Sequence, residues 1–299
     1  MKKRISSHRG SLPTKQYKSV THEPSQSLIN EMLALFNAGE VGLFTQKANE
    51  VIERWPKHPF GWKALGNLML SQERFEDALK YLSKTLQLDT NDAQSFNNLG
   101  ITNFELGYFD EAVANYRQAI KLKANYPQAY NNLGNVLKKL GCLEDAVVSF
   151  RKALELKEDL AEAHYNLGNT LKELGNLDEA EKSYKQALFL KPNYIDALSD
   201  LGNVFLKRKQ FSDALTCFRK CFDIDPFFLE AHAGLSSTLN AVTPFWHIPM
   251  MNDSFRNAAY FSALQNAITP DTQVLEIGTG SGLLALMAAT LGARHITTC

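Results

Sequence analysis

Between residues 59 and 228 the apolar and small residues return with a period of 34. Rows beginning at Pro59, Ala93, Pro127, Ala161 and Ile195 align without gaps. Slot 4 of each row holds Trp62, Phe96, Tyr130, His164 or Leu198, and slot 7 holds Leu65, Leu99, Leu133, Leu167 or Leu201. Slot 8 is always glycine, at Gly66, Gly100, Gly134, Gly168 and Gly202. Slot 20 is always alanine, at Ala78, Ala112, Ala146, Ala180 and Ala214. Slots 4, 7, 8 and 11 fall on one face of a helix, so each row predicts a first helix, A, with an apolar stripe. A second helix, B, follows, and the small residues at slots 8 and 20 let the two cross closely. Gly107, Gly141 and Gly175 fall between the helices, where a left-handed residue ends helix A. Pro192 and Pro226 stop helix B, since proline cannot continue it. Ala119, Ala153 and Ala187 are placed to face the next row. One pair of helices cannot bury its stripe alone, so stacking supplies the core.

The period and the occupied slots resemble the tetratricopeptide repeat over all of 59–228. That resemblance implies a mostly α fold, an α-solenoid of helix hairpins. The row before it, 25–58, is degenerate: it keeps Gly39 and Pro56 but puts Met32 in slot 8 and Phe44 in slot 20. It is expected to cap the array. Residues 229–242 predict one closing helix A without a partner. Residues 1–24 are polar and basic and are expected to form a disordered tail. The expected organisation is therefore a tail over 1–24, a repeat array over 25–242 and a different domain over 243–299.

Charge and cysteine usage narrow the classes. Lys+Arg 32 and Asp+Glu 32 give a formal net charge of +0, which excludes a wholly basic nucleic-acid binder, and no nucleic-acid partner is expected. No apolar run is long enough for a membrane span, and the basic N-terminus is not followed by the apolar stretch of a secretory signal. Cys142, Cys217, Cys221 and Cys299 are few and scattered, which suits a reducing compartment and a cytoplasmic location. Cys217 and Cys221 share a helix face, but no further ligands have metal-site spacing, so Cys221 is read as a small buried residue and no metal is expected.

Asparagine, a mediocre helix former, nevertheless recurs at fixed slots of helix A. Slot 6 holds Asn98, Asn132 and Asn166, then Asp200; slot 9 holds Asn67, Asn135, Asn169 and Asn203, with Ile101 breaking the column. An amide both donates and accepts, which suits the backbone of an extended peptide whatever its side chains. The columns are similar to the asparagine-lined repeats of the O-linked N-acetylglucosamine transferase family, where such a ladder grips extended protein segments. The resemblance implies a protein or peptide partner on the concave face of the array. Local satisfaction of the amides, or satisfaction by water, is the alternative.

After Val242 the period stops. A helical segment with Phe255, Ala258, Ala259, Leu264 and Ile268 on its apolar faces precedes a turn at 269–271. Residues 273–277 then read as a buried strand, Gly278, Gly280 and Gly282 as a glycine loop, 283–291 as an apolar helix closed by Gly292, and 295–298 as the start of a second strand. The dinucleotide fingerprint would need glycine at Leu283. Glu276 followed by Gly278, Gly280 and Gly282 instead resembles motif I of S-adenosyl-L-methionine-dependent methyltransferases, whose glycines let backbone approach the cofactor. The spaced set His247, Met250, Asp253, Arg256 and Tyr260 resembles the entry helix of protein arginine N-methyltransferases. Trp246 and the preceding array are similar to the repeat-bearing branch of that family. The resemblance implies that Arg256 pairs with the methionine carboxylate of the cofactor, that His247 lines its site, and that Met250 packs near the reacting centre. Met251 and Asn257 depart from the leucine and threonine common there.

The fold class expected is thus a tetratricopeptide-repeat α-solenoid followed by the truncated beginning of an α/β Rossmann-like methyltransferase domain. The family's acidic ribose-binding residue, two-glutamate hairpin, histidine–tryptophan loop and β-barrel are not within the 299 residues, so the chain reads as a fragment. No catalytic residue is assigned, and the chain alone is expected not to transfer methyl groups. The parent protein is expected to be an S-adenosyl-L-methionine-dependent protein arginine N-methyltransferase whose repeats recruit substrate. The alternatives are a repeat adaptor without catalysis and a methyltransferase acting on another acceptor, such as lysine, a ribosomal protein or a small molecule.

Overall fold

The row starts deduced from the period are the starts of real helices. In a computed structural model, which describes residues 23–242, 254–269, 271–276, 287 and 292–298, helix A begins at Pro59 (α3, Pro59–Ser71), Ala93 (α5, Ala93–Glu105), Pro127 (α7, Pro127–Lys139), Ala161 (α9, Ala161–Glu173) and Ile195 (α11, Ile195–Lys207). The B helices are α4 (Phe75–Leu88), α6 (Phe109–Leu122), α8 (Leu143–Leu156), α10 (Leu177–Leu190) and α12 (Phe211–Ile224). The degenerate row forms α1 (Gln26–Asn37) and α2 (Val41–Arg54), and α13 spans Leu229–Val242. First-turn acids such as Glu76, Asp77, Asp110, Glu111, Asp178 and Glu179 favour the N-termini of B helices, where the helix dipole is positive. Among the described residues no helix is long and apolar enough to cross a membrane.

The chain forms two units, Met1–Val136 and Leu137–Cys299, and the division falls inside α7. In the first unit the hairpins α1–α2, α3–α4 and α5–α6 follow one another, with α2 against α3 and α4 against α5. Their shared core runs from Met32, Phe44 and Val51 through Leu65 and Leu82 to Leu99. In the second unit α9–α10 and α11–α12 repeat the hairpin, α10 packs on α11, and α13 packs on α12 and α11.

Slot 8 is glycine because of the side chain at slot 24. A Cβ at Gly100 would lie 2.6 Å from the Tyr116 ring, one at Gly168 2.8 Å from Tyr184, and one at Gly202 2.7 Å from Phe218. At Gly66 the obstacle is Leu82, at 2.8 Å. The large side chain of helix B lies on bare backbone of helix A, and those rings are buried. Slot 27 is equally small: Ala119, Ala153 and Ala187 are buried, and Cys221 takes the same place in the last full row. Burial pushes the Cys221 thiol up to about 12, so it packs as a small apolar group.

Helix A closes the same way in every row described at its end. The Gly107 N–H donates to the Phe104 carbonyl (3.0 Å) and the Tyr108 N–H to that of Asn103 (2.8 Å), with Gly107 at φ +81°. This paired closure is the Schellman motif. Gly39, Gly141 and Gly175 share the positive φ. At the same slot, Glu73 (φ 58°) and Lys209 (φ 59°) adopt it without being glycine, a conformation the sequence does not announce.

At the C-terminal end, α14 spans Ser254–Ala267, and β1 (Gln273–Glu276) pairs in parallel with β2 (His295–Thr298), Gln273 opposite His295 and Glu276 opposite Thr298. The turn between α14 and β1 is closed by the Thr272 N–H on the Thr269 carbonyl (2.9 Å) and by the Thr269 N–H on the Thr272 hydroxyl (2.7 Å). Arg294 ties the two strand starts together, its N–H donating to the Thr272 carbonyl at 3.0 Å. Parallel pairing of the two strands is the arrangement expected of a β-α-β opening, whose connecting helix lies almost wholly outside the described residues. On α14, Ala258 and Ala259 are exposed and Leu264 is half-buried, as is Ile268 just after it.

Candidate functional site

In the first unit the asparagines form a relay rather than a row of independent groups. The Asn98 Nδ2 donates to Asn67 Oδ1 at 2.8 Å, Asn97 Nδ2 to Asn98 Oδ1 at 3.3 Å, and Asn132 Nδ2 to Asn97 Oδ1 at 3.2 Å. Asn97 and Asn98 each give one proton and take one, Asn132 only gives and Asn67 only takes, so amide polarity runs in one direction from α7 to α3. Asn67, Asn98 and Asn132 are half-buried, while Asn97 is buried. The amide group of Asn67, last in the relay, donates to no described residue, and Asn135 has no side-chain hydrogen bond among the described residues. Asn97 is the member that the column reading misses. It sits at slot 5, whose occupants Lys63, Asn97, Asn131, Tyr165 and Ser199 form no column.

The relay is seated on a firm junction. The Asp92 carboxylate caps α5 by accepting from the N–H groups of Gln94 (3.1 Å) and Ser95 (3.3 Å). It also accepts from the Ser95 hydroxyl (2.7 Å) and pairs with Lys63 Nζ on α3 (2.7 Å). Burial opposes its charge, but the Lys63 ammonium and the Ser95 hydroxyl outweigh it and hold the carboxyl below its ordinary value.

In the second unit the same slots carry different chemistry. Asp200 accepts from Lys172 Nζ at 2.6 Å and from the Tyr165 hydroxyl at 3.1 Å. Tyr184 donates to Asn169 Oδ1 at 2.6 Å, and Tyr165 also bonds Asn169. The Tyr165 and Tyr194 rings lie 4.8 Å apart. Burial, first of all, raises the hydroxyl pKa of Tyr165 and Tyr184 well above that of a free phenol, and that of Tyr194 to about 12. These phenols are therefore neutral donors near neutral pH. Asn169 is committed to them, whereas Asn203 makes no side-chain hydrogen bond to a described residue. Asn166 is half-buried and has a partner of its own.

Of the cofactor-binding candidates, Arg256 is the third residue of α14 and Glu276 the last of β1. His247, Met250, Gly278, Gly280 and Gly282 lie outside the described residues, as does most of the expected 283–291 helix. Among the described residues no group of three His, Cys, Asp or Glu is placed to hold a metal ion.

Similarity to known proteins follows the same division of labour. Family profiles described as tetratricopeptide repeats match residues 103–141, 139–175, 161–194 and 195–228. A profile described as ribosomal protein L11 methyltransferase matches 258–299. YrrB, reported as a tetratricopeptide repeat protein with an unusual peptide-binding site, superposes with a TM-score of 0.54 at 27% identity, covering 62% of this chain and 96% of YrrB. A PilF structure from Pseudomonas aeruginosa superposes at 0.63 over 70% of this chain and 96% of its own, at 18% identity, and shows the fold alone. The C-terminal part is 50% identical over 56 residues to an arginine N(omega)-methyltransferase of Streptomyces achromogenes subsp. streptozoticus, 19% of this chain and 16% of that one. It is 46% identical over 55 residues to protein arginine N-methyltransferase 9 of Xenopus laevis, 18% of this chain and 7% of that one. The chain thus spans less than a fifth of the length of either relative. It joins tetratricopeptide repeats to a C-terminal segment similar to methyltransferases.

Proposed function

We propose that these residues belong to a cytoplasmic, S-adenosyl-L-methionine-dependent protein arginine N-methyltransferase, with a repeat array over 25–242 recruiting protein substrate and a methyltransferase domain starting at 243. The observation that carries this reading is the 50% identity over 56 residues to an arginine methyltransferase, in the C-terminal part of the chain. The geometry of the described strands fits. The chain leaves β1 at Glu276, the carboxyl end of a strand in a parallel pair, and open α/β sheets bind their ligands beyond those ends. His247, Arg256, Glu276, Gly278, Gly280 and Gly282 would hold S-adenosyl-L-methionine there, with Met250 toward the reacting centre. When bound, the cofactor supplies an electrophilic methyl group. Arg256 suits its carboxylate because a guanidinium offers two parallel donors.

The recruiting surface is the set of amides on the A helices: Asn67, Asn98, Asn132 and Asn135 in one unit, Asn166, Asn169 and Asn203 in the other. A relay of amides keeps its members oriented while each retains a donor or acceptor for an extended peptide backbone. A formal net charge of +0 fits a protein partner better than nucleic acid or a charged membrane surface.

The test is methyl transfer from labelled S-adenosyl-L-methionine by the native protein, with the acceptor read by mass spectrometry. Methylarginine is expected, and Arg256→Ala should lower kcat/KM about tenfold or more by loss of a bidentate charged pair. Methylation of a ribosomal protein on another residue would favour the second reading, which rests on the ribosomal protein L11 methyltransferase match over 258–299. No transfer to any protein would leave the repeats as a peptide-binding module.

A further inference from the structure

The first unit contains a pocket of about 290 Å³ at one end of the amide relay. One wall is apolar, with Met32, Leu33 and Phe36 from α1 and Phe60 from α3; the other carries Asn67 and Gln94. Three features set it apart from ordinary surface. First, it exists because the cap is degenerate. Slot 9 of that row is Leu33, where four full rows place asparagine, so the polar column turns apolar at this point. Second, Leu33 is 54% exposed and Phe36 41% exposed, although their neighbour Met32 is fully buried. Third, Asn67 belongs both to the pocket wall and to the end of the relay, and its amide group donates to no described residue.

We infer that this pocket anchors one large apolar side chain, leucine, methionine or phenylalanine, of an extended peptide whose backbone is held by the amide relay. The inference rests on the reading of that relay as a peptide-recruiting surface. An apolar cavity of about 150 Å³ takes a benzene ring, so this one admits any of the three side chains. The amides are indifferent to peptide sequence, so the pocket sets register and preference. Burying such a side chain is worth roughly tenfold to a hundredfold in affinity.

The experiment selects binders to the full chain from a randomised peptide display library and measures them by fluorescence anisotropy. The recovered peptides should share one large apolar residue, and its replacement by glycine should weaken binding tenfold or more. Leu33→Glu should do the same, and because Leu33 is more than half exposed the protein should still fold. Leu33→Ser serves as the milder second variant. Asn98→Ala and Asn135→Ala should instead weaken every peptide alike. Binders that share no apolar residue, or that ignore Leu33→Glu, would overturn the pocket and leave the amide surface standing. A library that yields no binder would remove the amide surface and the pocket with it. Two further outcomes would overturn the external peptide as occupant. One is a synthetic peptide of residues 1–22 binding with the same sensitivity to Leu33→Glu; the other is a dimer that this substitution dissociates.

Discussion

The A helices of the two units share slots but not chemistry. In the first unit slots 5, 6 and 9 carry Asn97, Asn98 and Asn67, which hand hydrogen bonds along a neutral relay. In the second unit Tyr165, Asp200 and Asn169 stand at the equivalent slots. An ionised carboxylate can only accept, so Asp200 draws in Lys172 and Tyr165 as donors, and the tyrosines occupy Asn169 as well. The slot decides where a side chain stands. The balance of donors and acceptors decides what is left for a ligand. On that ground the first unit is the more open to a peptide backbone, and the second is the more rigidly self-satisfied.

Hairpins of both units place a ring of helix B on a glycine of helix A, and the largest expected effect tests this common frame. Gly100→Val and Gly168→Val would each force a branched side chain into the ring of Tyr116 or Tyr184. Each should destabilise by about 3 kcal/mol, the upper part of the overpacking range. Denaturant melts of the two variants should show similar losses, one in each unit. A large loss in one and none in the other would mean that the hairpins are not equivalent.

Next in size is the charged cluster itself. Asp200→Ala leaves the Lys172 ammonium and the Tyr165 hydroxyl without their acceptor at a site only about one-fifth exposed. The expected loss is about 2 kcal/mol, against about 1 kcal/mol for Asn98→Ala in the relay. Melting both at low and high salt separates them, because only the loss at Asp200 should shrink with added salt. Equal losses with equal salt response would erase the distinction between the units.

Acid sharpens the same contrast from the other side. The Asp92 carboxyl has a folded value below its unfolded one of about 3.8. Its contribution is therefore present above that value and is lost as pH falls through the lower folded value. Asp92→Asn should be less stable than wild type at neutral pH by about 1 kcal/mol, with the gap closing as the pH falls below 3.8 and through the lower folded value. A gap that persists in acid would assign the effect to packing rather than charge.

These contrasts also mark what sequence alone makes legible. A 34-residue period is a local rule repeated, and it places the starts of α3, α5, α7, α9 and α11 at the row starts. Asn98 and Asn67 are visible because their slots recur. Asn97 is not, because its role depends on the next residue in its own helix and on Asn132 a row away. The pocket is hidden for a related reason: α1, α3 and the start of α5 each contribute to its lining, and most of its apolar wall comes from the row that fits the period worst. The division inside α7 follows no composition change at all. On the cofactor side the motif is legible as spacing, while the residues that carry most of it lie outside the described part of the chain.

The smallest effect concerns the helix ends. Glu73 and Lys209, one in each unit, hold φ of 58° and 59° at the slot where Gly107, Gly141 and Gly175 hold 78–81°. The Arg74 N–H bonds the Met69 carbonyl at 2.9 Å and the Gln210 N–H that of Phe205 at 2.9 Å, so the paired closure is kept. A side chain there strains the left-handed conformation by roughly 1–2 kcal/mol, which glycine would relieve. Glycine also loses more backbone freedom on folding, by roughly 0.5–1 kcal/mol. Glu73→Gly and Lys209→Gly should therefore each stabilise by about 0.5–1 kcal/mol, read as a rise in the denaturant midpoint without a change in slope. Gly107→Ala and Gly175→Ala should lower it by about 1 kcal/mol. If glycine at 73 and 209 instead destabilises, those side chains contribute more to the folded state than the backbone strain takes away, and the slots are equivalent in geometry but not in energy.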